Sequence, residues 1–424
     1  MALAPYRRLL AIPGIRTLLL VGLLARLPST AMGMALTLHV TKVMGAETPG
    51  ADFTEAGLIA MASTVGMAIG FPLSGRFLDR YGLRPVLVVT TVAQAVFWAT
   101  AWMLPYPALA VAALLGGLLM LPVSSLSRQC LAAMVPVDQR RSGFALDSML
   151  VEVSFMAGPA LAVAGITTLG SAVTMTGIGA GLTVGGLGLF LLNPPTRSVA
   201  ELAEQEVRVP RRQWITPGFL ALLGTAAAAT FVLLGTELAV VAAMDRAGQT
   251  AWVGLALAIW CVFSLVGGFV YGGLSRGLSP LTLIAAMGLF TIPVGLVGGG
   301  WPWMILALLP AGLLCAPALS ATADVLSRWI PSGARGEAMG LHGTALLIGS
   351  AVSAPLAGAV IDGHGPEWAF VLAGAVGVAM VLVALPLWRR RPALSPAPVP
   401  QEPTAAAPTG VVSAEPGVVA SPRK

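Results

Sequence analysis

Residues 54–104 read TEAGLIAMASTVGMAIGFPLSGRFLDRYGLRPVLVVTTVAQAVFWATAWML, two apolar runs of about twenty residues joined by a short charged segment. A run of that length forms a helix that crosses the roughly 30 Å of hydrocarbon in a bilayer. The joining segment, RFLDRYGLRP at residues 76–85, carries the charged residues and ends in turn-forming glycine and proline. This stretch therefore predicts a helical hairpin within a membrane.

The same alternation continues along the 424-residue chain, of which 57% is hydrophobic and only 10% is charged. A soluble domain carries about 25% charged residues. Helices satisfy their own backbone hydrogen bonds in lipid, and the sequence lacks the alternating pattern of a membrane β-barrel, so we predict an all-α membrane protein. Twelve spans are predicted, at residues 15–40, 54–76, 86–104, 107–129, 144–166, 170–192, 218–242, 251–274, 281–299, 303–327, 337–360 and 368–388.

The basic residues are distributed unevenly about these spans. Of the 24 Lys and Arg, 21 fall on one side, Lys42 and Arg246 fall on the other, and Arg26 lies within a span. Because positive residues favour the cytoplasmic side, we predict a multi-pass protein of the cell inner (plasma) membrane with both termini cytoplasmic. The net charge of +6 is then a consequence of topology, which argues against a nucleic-acid partner.

The chain divides into similar halves around a polar middle segment. We predict a six-helix bundle at residues 1–192, a cytoplasmic linker with a short surface helix at 193–217, a second six-helix bundle at 218–391 and a disordered cytoplasmic tail at 392–424. The segment after the second span, GFPLSGRFLDRYGLRP at 70–85, has a degenerate counterpart after the eighth, GFVYGGLSRGLSP at 268–280. This match between corresponding positions of the two halves favours two pseudo-symmetric bundles.

The joining segment also carries a pattern of known type. Gly75, Asp79, Arg80 and Gly82, with Arg84 one place late, resemble the signature G-x-x-x-D-R-x-G-R-[RK] of the major facilitator superfamily. Glycine permits close helix approach and a tight turn, and Asp79 near a helix end can pair with arginines or with the positive N-terminus of a facing helix. We expect these residues to form a latch that holds one conformation at the cytoplasmic side.

The resemblance covers residues 10–390 and implies two bundles around a central cavity, lined by spans one, four, seven and ten, with alternating access. Gly158 and Pro159 in the fifth span resemble part of the motif of proton-coupled drug antiporters. A small residue followed by proline also predicts a kinkable, closely packed helix. An ordinary packed span is the alternative. The arginine that such antiporters carry midway along the fourth span is missing from residues 113–117.

Ionisable residues inside the bilayer are functional candidates because each costs free energy to insert. Helix rise places Arg26 and Glu152 near the midplane at one depth, where they can form a structural ion pair or bind a substrate or a proton. Glu237 lies toward the outer end of the seventh span, either at a cavity rim or simply solvated. Asp147 and His342 are expected near cytoplasmic helix ends.

These observations favour a secondary transporter, with ion-gradient-driven export of small amphipathic compounds as the leading hypothesis. We expect a monomer in the lipid bilayer, with a small-molecule substrate and protons as its partners. The three cysteines fall in separate spans without metal-ligand spacing, and no nucleophile or phosphate-binding motif occurs, so no cofactor, metal site or enzymatic activity is predicted. The alternative is a transporter-like receptor or assembly partner without transport.

Overall fold

The computed structural model describes residues 3–44, 53–198, 201, 210–274, 276–297 and 300–389. Within those ranges the regular structure is helical throughout, with no strand. Residues 1–391 form one compact unit. The predicted disordered tail and most of the central part of the predicted linker lie outside the described residues.

The described residues of this unit contain twelve apolar helices, α1 to α12, which confirms the predicted membrane fold. Eleven are long and apolar enough to cross a membrane, and α9 is shorter. Among the described residues, three short α-helices accompany them, at Leu3–Ala11, Arg211–Trp214 and Trp301–Ala307. In chain order, α1 to α12 are Ile15–Met44, Glu55–Tyr81, Leu83–Met103, Tyr106–Met134, Arg140–Leu169, Ser171–Leu192, Pro217–Arg246, Val253–Gly273, Pro280–Leu296, Leu309–Trp329, Ser332–His364 and Pro366–Trp388.

Several helices are longer than the predicted spans. Helix α2 continues through residues 76–81 of the charged segment and ends at Tyr81, before Gly82, whose φ of 83° suits a residue without a side chain. Helix α4 is interrupted between Leu118 and Val123, where Pro122 cannot continue the hydrogen-bond ladder. The described part of the linker contains a single helical turn, Arg211–Trp214, and the surface helix stays a prediction.

The two halves repeat one packing scheme. Helix α1 packs against α5 and α6, α2 against α4, and α3 against α6; correspondingly, α7 packs against α11 and α12, α8 against α10, and α9 against α12. Among the eleven long spans, the four with the largest buried share are α1, α4, α7 and α10, at 44% to 72%. These helices therefore occupy central positions, and that they line a cavity stays a prediction.

The halves meet through α2 against α11, α5 against α8 and α10, and α4 against α11. Polar contacts between the halves are concentrated toward the end of the bundle at which α2 ends and α5 and α11 begin. We call this the Asp79 end. The predicted orientation makes it cytoplasmic.

Candidate functional site

Arg26 on α1 pairs with Asp147 on α5, and Arg128 on α4 donates from Nε to the other carboxylate oxygen of Asp147 at 3.1 Å. All three side chains are at most 3% exposed. Two arginines thus share one aspartate in a buried ionic triad with one excess positive charge.

The ion pair between Arg26 and Glu152, one of the alternatives considered from the sequence, is therefore not formed in this structure, and helix geometry gives two reasons. Long side chains lean toward the N-terminus of their own helix, so the guanidinium of Arg26 reaches back toward the level of Asp147. Asp147 and Glu152 are five residues apart, which places them about 140° apart around α5. Asp147 faces the arginines, whereas Glu152 faces α8.

Asp147 was not predicted to pair with Arg26 because its position seven residues into α5 indicated a helix end, where a gate contact or solvation was expected. The signal that could have found it is charge balance, since a buried arginine requires a counter-charge. Arg26 also keeps buried Nε and Nη1 atoms that have no hydrogen-bond partner among the described residues. A solute with acceptor atoms could use these donors.

Glu152 lies where the two halves meet. Its carboxylate accepts a hydrogen bond from Ser264 on α8 at 3.1 Å, and the thiol of Cys261 lies 3.8 Å away. Ser264 in turn accepts from the amide of Ala316 on α10 at 3.1 Å. In the described part of the chain, Glu152 has no ion-pair partner, so this partly exposed carboxylate is held by neutral groups alone.

Glu237 on α7 is also partly exposed. It lies close enough to Glu152 for the charges of the two carboxylates to repel each other. The structure therefore places Glu152 within electrostatic range of Glu237 on the other half, and it places Glu152 on a different face of α5 from Asp147.

Asp79, the central residue of the predicted latch, contacts the N-terminus of α11. Its two carboxylate oxygens accept hydrogen bonds from the amides of Gly336 at 2.9 Å and Glu337 at 2.8 Å, and Gln129 on α4 donates to it at 3.1 Å. Unpaired amides and the positive end of the helix dipole favour a carboxylate at this position. Of the two partners considered from the sequence, the structure contains the facing helix N-terminus.

The remaining latch residues have different surroundings. The guanidinium of Arg80 lies 5.0 Å from the centre of the Tyr81 ring, and that of Arg84 lies 5.3 Å from the centre of the Phe190 ring. Gly75 touches the backbone of α11, where an added Cβ would collide with the Gly336 carbonyl. The glycine is thus required by close approach of the two helices.

The segment between α6 and α7 adds contacts that the sequence did not predict. Arg197 donates to the main-chain carbonyl of Asp79 at 2.8 Å, Glu201 pairs with Arg335 at 2.7 Å, and Arg211 pairs with Glu337. This segment therefore holds both the end of α2 and the beginning of α11. No local sequence pattern indicates these pairs, because their partners are more than a hundred residues away.

The Glu201 pair is ionised at neutral pH. Burial alone raises the pKa of Glu201, but hydrogen bonds and charge from Arg335, together with hydrogen bonds from Ser198, hold the pKa below its ordinary value. This contact at the Asp79 end is consequently kept at neutral pH and is lost only as the pH falls through the lowered pKa.

Gly158 and Pro159 lie inside the continuous helix α5. A Cβ at Gly158 would collide with the hydroxyl of Thr30 on α1, and that hydroxyl donates to the Ser154 carbonyl at 2.7 Å. The pair therefore permits close packing of α1 against α5, and its expected role as a kink stays a prediction. Within the described ranges, no group of three or more His, Cys, Asp or Glu side chains is placed to hold a metal ion.

Comparisons with known proteins match this architecture. A family model described as the Major Facilitator Superfamily matches residues 18–298 and 218–421. The structure of the human organic anion transporter MFSD10 (TETRAN) is similar with a TM-score of 0.70 at 17% identity, covering 87% of this chain and 98% of that one. No curated protein sequence matches the chain.

Two further solved structures are similar. The proton:xylose symporter XylE bound to 6-bromo-6-deoxy-D-glucose gives a TM-score of 0.69 at 15% identity, covering 89% of this chain and 96% of that one. A bacterial homologue of the iron transporter ferroportin, in the outward-facing state with soaked iron, gives 0.66 at 18% identity, covering 89% and 99%. At these identities the likeness concerns the fold.

Proposed function

Because the chain belongs to the major facilitator superfamily, a family of membrane transporters, we propose that it exports small amphipathic compounds across the inner membrane by proton-driven alternating access. Membrane transport of a solute follows from the family. The direction, the driving ion and the solute class are the proposal.

Glu152 is the observation that carries the proton coupling. This carboxylate lies between the halves, is held by a hydroxyl and a thiol, and is repelled by Glu237; no cation among the described residues fixes its charge. Such a group can gain and lose a proton as its surroundings change during the transport cycle. Because Ser264 belongs to α8, a relative movement of the halves changes what surrounds Glu152.

The contacts at the Asp79 end support a cycle with a closed cytoplasmic side. With the predicted orientation, the structure is closed toward the cytoplasm, and this fits the outward-facing state named for one of the similar structures. The hydrogen bonds of Asp79 to α11 and the neighbouring ion pairs would then break when the inward-facing state forms.

The amphipathic nature of the solute is inferred from the central helices. α1, α4, α7 and α10 are mostly apolar, and their few ionisable groups include Arg26, with two unpartnered donors, and Glu237. A solute with a large apolar body and one polar group suits such a lining. We propose that the protein acts as a monomer with both termini cytoplasmic.

The test is transport by the purified protein in liposomes. Fluorescent amphipathic cations, anions and neutral compounds would be compared, with a pH gradient imposed in either direction and then collapsed with an ionophore. We expect one class to be accumulated only while the gradient is present. Equal accumulation with and without the gradient would refute proton coupling, and movement of no amphipathic compound, with a folded protein, would refute the solute class.

A further inference from the structure

The two sides of the closed end are not equivalent in sequence. Residues 70–85 provide Asp79 to the α2–α11 contact, whereas the corresponding residues 268–280 contain no acidic residue. The α5–α8 contact, which occupies the pseudo-symmetric position, therefore closes without a carboxylate at the end of α8.

In the α5–α8 contact, two of the donors belong to the beginning of α5. Ser142 at the beginning of α5 donates to the Gly272 carbonyl at 2.6 Å, and Arg141 donates to the Leu274 carbonyl at 2.6 Å. Both acceptors lie at the C-terminus of α8, where carbonyls lack helical partners and the helix dipole is negative. The polarity is thus opposite to that of the Asp79 contact, in which a carboxylate meets a helix N-terminus.

A third donor comes from the short helix Leu3–Ala11, which precedes α1. The Tyr6 hydroxyl donates to the Phe269 carbonyl on α8 at 2.8 Å, with the Gly268 carbonyl 3.2 Å away. The Tyr6 ring stacks on the Phe269 ring with centroids 4.9 Å apart and planes 8° apart. Gly272 leaves the space that the hydroxyl occupies, because a Cβ there would collide with it.

The same short helix is attached to the first half. Leu9, three residues after Tyr6, is fully buried in the cluster that contains Leu18 and Phe144. A helix with Leu9 in the first half and Tyr6 on the second connects the halves directly. Burial raises the pKa of Tyr6 to about 12, so the phenol stays protonated and keeps donating at physiological pH.

We propose that the helix Leu3–Ala11 is a brace that holds the α5–α8 side of the Asp79 end closed, through Tyr6, in place of the acidic residue that the second half lacks. The brace rests on the alternating access of the proposed function, since it acts by favouring one conformation. Opening this end would require Tyr6 to leave its carbonyls and its stacking partner.

The test measures distances between spin labels in the full-length protein. Cys130, Cys261 and Cys315 would be replaced, and labels attached at Asp138 and Arg276, which are exposed on the two sides of the α5–α8 contact. Tyr6→Phe removes the hydroxyl and keeps the stacked ring. We expect it to raise the ratio of the long-distance to the short-distance population about fivefold, which corresponds to the loss of one hydrogen bond.

The matched control is Tyr106→Phe, because the Tyr106 hydroxyl contacts the Glu55 carbonyl within the first half, away from the Asp79 end. Tyr6→Ala also removes the stacking and should shift the ratio further. An unchanged distance distribution in both Tyr6 variants, or an equal shift in Tyr106→Phe, would overturn the brace.

The labels report conformation without any substrate, so the two proposals can fail separately. Distances that shift in a protein that moves no solute would support the brace and count against the proposed function. Gradient-driven transport, with label distances that do not change in the Tyr6 variants, would support the proposed function and count against the brace.

Discussion

Arg26 and Asp147 form an ion pair between α1 and α5 in which both side chains are almost fully buried. Arg128 contacts the same aspartate, so the negative charge of Asp147 offsets the repulsion between the two guanidinium groups. Loss of the aspartate should therefore destabilise the folded protein more than loss of either arginine.

We expect Asp147→Asn to lower the free energy of unfolding by about 3–5 kcal/mol, because it leaves two buried arginines without a counter-charge. Arg26→Met should cost clearly less, since it leaves a balanced pair of Arg128 and Asp147. Melting temperatures in detergent measure both. Equal losses in the two variants would contradict the shared-aspartate arrangement.

Glu152→Gln should abolish gradient-driven transport while solute binding and folding are kept, because the amide retains hydrogen-bonding capacity but cannot carry a proton. The control is Glu367→Gln, which changes an exposed carboxylate paired with Arg246 inside the second half. Transport and binding would be measured in the same liposome preparation. Full gradient dependence in Glu152→Gln would exclude this residue as the coupling group.

Glu152 and Arg26 should also be energetically independent, since they do not touch. The effects of Glu152→Gln and Arg26→Met on unfolding free energy should add within about 0.5 kcal/mol in the double variant. A larger interaction energy in this double-mutant cycle would indicate a coupling between them that the geometry does not contain.

Asp79→Asn should leave the protein inserted but slow transport about tenfold. The carboxylate accepts from two backbone amides at the positive end of α11, and charge-assisted bonds of this kind contribute about 1.5–3 kcal/mol each. Arg80→Ala is the comparison, because Arg80 is exposed and lies over the Tyr81 ring. Similar transport rates in both variants would mean that residues 76–85 only set the membrane topology and do not form a latch.

Gly75→Ala should prevent full closure of the Asp79 end, because the added methyl group meets the rigid backbone of Gly336. Overpacking of this kind costs about 1–3 kcal/mol. Gly57→Ala, on the same helix but facing open space, is the matched control. Accessibility of a single cysteine introduced at Ser74 should rise in the first variant and stay low in the second.

The twelve helices could be predicted from the sequence because lipid thickness fixes the length of an apolar run. The contact between Asp79 and a helix N-terminus was one of two predicted options, since a carboxylate at a helix end has few favourable partners. The pairing of Arg26 required more than depth. Rotation about α5 and the lean of the arginine decided it, and neither follows from residue spacing without knowing which helices touch.

The contacts of Tyr6, Glu201 and Arg211 could not be predicted from the sequence. Each residue belongs to a segment outside the membrane-spanning helices, where apolar periodicity gives no direction. Their partners are set by the packing of the whole bundle. Only the tertiary structure brings such distant positions together.

Many polar contacts between the halves join a side chain on one half to the main chain of the other. Side chains that bond in this way include Tyr6, Asp79, Ser125, Ser142 and Thr344. A main-chain group stays the same whatever residue carries it, so the partner position can change its side chain without breaking the bond. Correlated substitutions between the halves would therefore record little of this interface, and charge exchange between positions could not restore a lost contact.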